Sequence, residues 1–108
     1  MIDDRAFAKF WVEDRILYRP LARDAVAREL RDKGVGDSIV QSALTELYPL
    51  SKERELAWRL ARERRERLGR LDEETRERRV LGYLIRRGFA FDLSREIVRR
   101  LDKGETDD

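Results

Sequence analysis

Apolar residues recur along this chain at intervals of three and four positions, the spacing of one face of an α-helix. Six segments show this spacing, and residues typical of helix starts and stops separate them. No segment alternates apolar and polar residues with a period of two, so no strand is expected. The pattern therefore predicts an all-α protein with six helices.

The first half of the chain carries three of these predicted helices. The first opens at Asp3 or Asp4, whose carboxylate can cap free backbone N–H groups. The second runs from about 21 to 33 and stops at Gly34, because glycine tolerates the left-handed conformation that ends many helices. The third starts near Asp37 and ends before a proline. The apolar residues expected to face the core are Phe7, Phe10, Trp11, Leu17, Val26, Leu30, Ile39, Val40, Ala43, Leu44 and Leu47.

The second half repeats this arrangement. Ser51 is expected to cap a fourth helix that fades at Gly69. Asp72 opens a fifth helix that ends at Gly88, and Asp92 opens the sixth. The apolar residues expected to face the core are Leu56, Leu60, Ala61, Val80, Leu81, Leu84, Ile85, Leu93, Ile97, Val98 and Leu101.

The two halves align as copies of one three-helix unit. Residues 5–8 match residues 54–57 at an offset of 49, and residues 30–35 match residues 84–89 at an offset of 54. The change in offset places about five extra residues between the first two helices of the second copy. A unit of this size cannot bury its apolar face alone, so we expect the tandem repeats to stack into a curved, elongated, right-angled helical array.

These matches also predict the domain organisation. The first three-helix repeat is expected at 1–49 and the second at 50–103. The remaining segment, 104–108, is acidic and poor in apolar residues, so it is expected to be a disordered tail.

Composition narrows the function. The chain has 108 residues, of which 44% are charged and 41% apolar, and it contains neither cysteine nor histidine. Disulfides, thiolate nucleophiles, structural zinc and a Ser-His-Asp relay are therefore excluded. With no signal peptide and no long apolar run, we expect a cytoplasmic, monomeric binding protein that is not an enzyme, uses no cofactor or metal and contacts no membrane.

Charge is distributed unevenly. Residues 1–50 carry 8 basic and 9 acidic side chains, whereas residues 51–103 carry 17 and 11. Of the 25 basic residues, 21 are arginine. Arginine binds carboxylates and phosphates with two parallel hydrogen bonds and stacks on bases, so the second repeat is expected to attract an anionic partner.

Arginines also recur at helical spacing, most clearly in the predicted fifth helix, where they share one face with a tyrosine. Many of them could instead form i, i+4 ion pairs on a solvated surface, because glutamate and arginine interleave along 53–79. We expect Trp11 to pack inside the protein, whereas both packing and base stacking stay open for Trp58. The candidate residues for partner or DNA binding are Arg76, Arg79, Tyr83, Arg86, Arg87, Arg59, Arg62, Arg65, Arg28 and Arg31.

Three short blocks carry a family resemblance. They are Asp-Asp-Arg-Ala-Phe-Ala at 3–8, Arg-Glu-Leu-Arg-Asp-Lys-Gly-Val at 28–35, and Leu-Ile-Arg-Arg-Gly-Phe at 84–89. In order and spacing they resemble the middle and C-terminal repeats of the RecX family, the bacterial regulators of the RecA recombinase.

The resemblance implies tandem three-helix repeats without a catalytic site. It also implies a partner: the RecA protein and its filament on single-stranded DNA, whose ATPase, recombination and co-protease activities such regulators mostly inhibit. Some family members also touch DNA directly. Two other functions stay open, a stand-alone helical nucleic-acid-binding protein and a structural helical adaptor. The net charge of only +2 weakens the first of these.

Overall fold

The computed structural model describes residues 3–106 and contains six α-helices. Within that range no residue lies in a β-strand, so the prediction of an all-α protein with six helices is confirmed. The helices are α1 (Asp4–Leu17), α2 (Arg23–Asp32), α3 (Asp37–Leu47), α4 (Leu50–Arg67), α5 (Glu73–Arg86) and α6 (Phe91–Asp102).

The chain divides into two compact units, Met1–Glu53 and Arg54–Asp108. Unit 1 contains α1, α2 and α3, and unit 2 contains most of α4 together with α5 and α6. The division falls after the first turn of α4. Each unit therefore holds one three-helix repeat of the predicted kind.

In unit 1, α1 contacts both α2 and α3, and these two helices contact each other. The buried face of α1 consists of Ala8, Val12 and Ile16. Phe10 is 66% exposed and Leu17 is 60% exposed, so their expected place in the core is wrong. The buried face instead consists of Ala8, Val12 and Ile16, which are spaced four positions apart and so share one side of the helix.

Trp11 is half-buried and forms a hydrogen bond that joins α1 to α2. Its Nε1 donates to Glu29 Oε1 at 3.0 Å, and Arg15 Nε donates to the same oxygen at 2.9 Å. Burial acts to raise the pKa of the Glu29 carboxyl, but the hydrogen bonds from Arg15 and Trp11 outweigh it and lower the pKa below its usual range. Trp11 therefore packs inside unit 1, as the sequence predicts.

In unit 2, α5 packs against α6, and α4 supplies five buried residues to the core. One of them is Trp58, which is only 1% exposed and therefore packs in the core rather than serving as a platform for bases. Ile85 is 42% exposed, so its expected place in the core is wrong. The other expected core residues of both units are buried except Phe7, Ile39, Leu47, Leu81 and Leu93, which are half-buried.

Two helices start with the predicted aspartate caps. Asp3 accepts hydrogen bonds from the backbone N–H of Arg5 at 3.0 Å and of the next residue at 3.2 Å. Asp72 accepts from the backbone N–H of Thr75 at 3.1 Å, and hydrogen bonds from the side chain and then the backbone of Thr75 lower the pKa of its carboxyl. Each cap satisfies N–H groups that the first turn of a helix leaves free.

The expected caps at Ser51 and Asp92 are wrong. α4 already begins at Leu50 and α6 at Phe91, so each predicted cap lies inside its helix. At α4 the carbonyl of Pro49 accepts hydrogen bonds from the backbone N–H groups of Lys52 and Glu53, both at 3.0 Å. Proline has a backbone angle suited to a helix start, so this helix begins without the predicted side-chain cap.

Two helices end in the same way, at Gly34 and Gly88. These residues have φ values of 88° and 93°, in the left-handed region that favours glycine. The following residue donates its N–H to a carbonyl five positions back, at 3.0 Å for Val35 and 3.1 Å for Phe89. Both of these side chains are buried, which completes a Schellman motif at each helix end. The predicted glycine stops are confirmed.

α6 ends in the same way as α2 and α5, at a glycine that begins the acidic segment. Gly104 has a φ of 79°, and the backbone N–H of Glu105 donates to the carbonyl of Arg100 at 2.9 Å. The Glu105 carboxylate also accepts from Arg100 Nε at 3.1 Å. The predicted disorder of 104–108 stays a prediction, and Asp107 and Asp108 lie outside the described residues. None of the helices just described is long and apolar enough to cross a membrane.

Candidate functional site

On the solvent side of α5, two of the candidate arginines have no acidic partner among residues 3–106. Arg79 and Arg86 are exposed, and neither side chain forms an ion pair or a hydrogen bond to any residue of 3–106. They are seven positions apart, so they lie on the same side of the helix two turns from each other. Their guanidinium donors are therefore available to an external anion.

Gly82 lies between these two arginines on the same side of α5. A β-carbon at this position would lie 3.1 Å from Nη1 of Arg86. The Arg86 side chain therefore crosses a part of the helix that has no side chain of its own. The missing side chain of Gly82 thus leaves room for the Arg86 guanidinium to lie against α5.

Arg76 does not belong to this exposed row, contrary to the predicted face. Its Nη1 donates to the carbonyl of Leu71 at 3.1 Å, and its Nε is buried without a hydrogen-bond partner in the described part of the chain. Helix geometry explains the difference, because Arg76 lies three positions before Arg79 and is turned by about 60° toward the core.

Tyr83 is half-buried and packs beneath two guanidinium groups. The Arg64 group of α4 lies 4.6 Å from the centre of the tyrosine ring, and the Arg87 group lies 5.4 Å from it. These distances are typical of cation–π contacts. Tyr83 therefore links α4 to α5, and only part of its ring remains open to a partner.

The candidate arginines of α4 differ in their surroundings. Arg59 pairs with Glu63 across one turn, at 3.7 Å, and Arg65 Nε lies 3.5 Å from Asp102 on α6. Arg62 is exposed, and its side chain forms neither an ion pair nor a hydrogen bond with any residue of 3–106. The alternative of internal ion pairing therefore applies to Arg59 and Arg65 but not to Arg62.

The two candidates of unit 1 divide in the same way. Arg31 pairs with Asp37 across the turn between α2 and α3, with a shortest distance of 2.7 Å. Arg28 is exposed and, within the described residues, unpaired. Unit 1 therefore offers fewer free cations than unit 2.

Sequence reasoning missed several residues of unit 2 that the structure places on its surface. Arg78 and Arg99 are exposed and, like Arg79, unpaired within 3–106. Gly82 was also missed, although a glycine inside an arginine-rich helix was a signal for its role. The positions of the arginines in the sequence do not distinguish those that are exposed from those that form contacts within unit 2.

A carboxylate cluster lies between α5 and α6. Oxygens of Glu73, Glu77 and Asp102 are within 4.8 Å of one another. A hydrogen bond with Asp102, burial, and the charges of Asp102 and Glu73 raise the pKa of Glu77 to about 7, although Arg76 acts in the opposite direction. Arg65 also contacts the cluster, which therefore belongs to the ion-pair network of unit 2.

Two family models match this chain. "RecX, second three-helix domain" matches residues 3–44, and "RecX, third three-helix domain" matches residues 52–98. The two matches follow each other in the order of the two units.

Named relatives and a solved structure agree with these matches. The chain is 39% identical over its whole length to "Regulatory protein RecX" of Streptomyces coelicolor, of which it covers 57%. It is 37% identical to the protein of that name in Amycolatopsis mediterranei, over 92% of this chain and 56% of the relative. A crystal structure of RecX from Lactobacillus salivarius has the same fold, with a TM-score of 0.75 and 24% identity over 94% of this chain and 66% of that one. The chain therefore spans just over half the length of the two curated relatives.

Proposed function

Because the chain belongs to the RecX family and carries its second and third three-helix domains, we propose that it binds the RecA protein and the RecA filament on single-stranded DNA. Binding inhibits the ATPase, recombination and co-protease activities of RecA. The relatives are named as regulatory proteins rather than as enzymes, in line with the sequence prediction for this chain.

The observation that carries this proposal is the exposed arginine surface of α5, which we define as Arg79, Gly82 and Arg86. Its two arginines have no acidic partner within the described chain. A guanidinium that is not paired internally breaks no ion pair when it binds a phosphate or a carboxylate. A nucleoprotein filament offers both kinds of anion.

The mechanism follows from position and charge. Arg79 and Arg86 contact anions of the filament, and Gly82 leaves room for the Arg86 guanidinium to lie against α5. A helical unit held there occupies space that RecA and its DNA need during ATP hydrolysis and strand exchange. Arg87 and Tyr83 support the surface from the side that faces α4. The proposed location is the cytoplasm, where RecA filaments form.

The direct test is to titrate the purified protein into RecA-driven ATP hydrolysis on single-stranded DNA, beside a binding assay on the same DNA without RecA. We expect inhibition at concentrations where free DNA is not bound. DNA binding without an effect on RecA would instead support a stand-alone nucleic-acid-binding protein. No inhibition of RecA and no DNA binding would support a structural adaptor. This result and DNA binding without an effect on RecA would each contradict the proposal.

A further inference from the structure

Unit 2 also has a groove between α5 and α6, with a volume of about 350 Å³. Its floor is apolar and formed by Leu81, Phe91 and Val98. Phe91 is 50% exposed at the start of α6, so its ring is accessible from solvent. The volume is within the range of sites that bind ligands through apolar contacts.

Three arginines, Arg78, Arg95 and Arg99, line the same groove. None of them forms an ion pair or a hydrogen bond with another described residue. The guanidinium of Arg95 only lies near the Phe91 ring, 6.0 Å from its centre. The groove therefore combines an apolar floor with three sets of hydrogen-bond donors that lack acceptors.

Two acidic residues also line the groove, but they reduce its positive charge only partly. Glu74 is exposed, whereas Glu77 is half-buried. A hydrogen bond with Asp102 and burial raise the pKa of Glu77 to about 7, so its carboxyl is about half ionised at pH 7. The groove is therefore net positive where its occupant would lie.

We infer that this groove binds an acidic peptide segment that inserts a leucine or phenylalanine side chain between Leu81 and Val98 and places carboxylates on Arg78, Arg95 and Arg99. A nucleic acid fits less well, because the floor is largely aliphatic and Arg95 lies near the Phe91 ring that a base would need. An evenly charged phosphate backbone would also approach Glu74. A peptide can separate its carboxylates around an apolar side chain.

This inference goes beyond the proposed function, since it concerns a site separate from the exposed arginine surface and needs neither RecA nor DNA. The probe is a fluorescein-labelled twelve-residue peptide of glutamate and aspartate around a central Leu-Phe pair. Its binding to the full chain is followed by fluorescence anisotropy. We expect saturable binding, and replacing Leu-Phe in the peptide by Ser-Ser should weaken it at least tenfold.

Two protein variants with the same change in charge locate the site. Arg95→Ala with Arg99→Ala should weaken peptide binding at least fivefold, and Phe91→Ala should weaken it without unfolding the half-exposed helix start. Arg79→Ala with Arg86→Ala, on the solvent side of α5, should change it less than twofold. Circular dichroism checks that each variant is folded.

Four results would overturn the inference. They are no binding of the peptide, equal binding of the Ser-Ser peptide, equal losses in the two double variants, and displacement of the peptide by an equal concentration of oligothymidylate of the same length. The last result would make the groove a phosphate site. Failure of the RecA assay would leave this inference untouched, because the peptide experiment contains neither RecA nor DNA.

Discussion

At the residue scale, two aromatic side chains near the end of α5 have different roles. Phe89 is 3% exposed and follows the glycine that ends the helix. Tyr83 is half-buried, and its ring makes cation–π contacts with the guanidinium groups of Arg64 and Arg87. The first side chain contributes to stability through burial, and the second through cation–π contacts at the surface.

Phe89→Ala should therefore destabilise the protein strongly, by about 3–5 kcal/mol, because truncation leaves a cavity in the core. Tyr83→Ala should cost less, about 1–2 kcal/mol for two partly exposed cation–π contacts. Tyr83→Phe keeps the ring and should be nearly neutral. Urea denaturation of the three variants measures these differences. Equal destabilisation by Phe89→Ala and Tyr83→Phe would contradict the assignment.

Gly82→Ala provides a second residue-scale prediction. Glycine inside a helix is about 1 kcal/mol less favourable than alanine, and the nearest atom to the new methyl group is the end of the flexible Arg86 side chain. The substitution should raise the melting temperature while weakening filament binding, because the new methyl group displaces the Arg86 guanidinium.

The matched control is Gly34→Ala, at a φ of 88°, which should lower the melting temperature because a side chain is strained in that conformation. A lower melting temperature for Gly82→Ala would show that Arg86 cannot move aside. Unchanged filament binding would remove the proposed role of Gly82.

At the element scale, the number of helices and the glycine stops could be predicted, because both depend on local spacing and backbone conformation. The buried side of α5 was predicted apart from Ile85, since Val80 and Leu84 are buried, but the buried side of α1 was not. Phe10 and Leu17 have the spacing of a buried face, but the neighbouring helices contact Ala8, Val12 and Ile16. That choice depends on tertiary packing, which a single helix pattern does not contain.

The contact between α5 and α6 predicts a dependence of stability on pH. The pKa of Glu77 is raised from 4.5 to about 7 in the folded protein by its hydrogen bond with Asp102, burial, and the charges of Asp102 and Glu73, while Arg76 opposes the shift. The folded state therefore holds this proton more tightly than the unfolded state, so its contribution to stability is complete below about pH 4.5 and is lost as pH rises through 7. Arg65, which contacts Asp102 from α4, reduces the effect but does not reverse its sign.

The melting temperature should therefore fall between pH 5.5 and 8.5, in a chain that has no histidine to titrate in this range. Glu77→Gln should flatten this fall, because an amide keeps a donor for Asp102 and does not ionise. Glu74→Gln, on the same helix but outside the carboxylate cluster, should leave the fall unchanged. A Glu77→Gln variant with the pH profile of the parent would contradict the role of the carboxyl pair.

At the scale of the whole molecule, the uneven charge of the sequence has a structural counterpart in each unit considered separately. In unit 2, exposed arginines such as Arg62, Arg79 and Arg86 have no partner within 3–106, whereas in unit 1 Arg15, Arg19 and Arg31 are all ion-paired. The sequence predicted which repeat is basic because charges can be counted. It did not predict which arginines are free, because ion pairs such as Arg65 with Asp102 join residues far apart in the chain.

The central claim is that unit 2 supplies most of the attraction to the RecA filament, and the salt dependence of filament binding tests it most directly. The measurement compares Arg79→Ala/Arg86→Ala with Arg5→Ala/Arg28→Ala, which removes two exposed charges from unit 1, between 50 and 300 mM salt. If both unit 2 arginines contact phosphates of single-stranded DNA, the negative slope of log affinity against log salt should become shallower by about 1.4 in Arg79→Ala/Arg86→Ala. The unit 1 variant should show a smaller change. A larger loss in the unit 1 variant, or an unchanged slope in the unit 2 variant, would contradict the account.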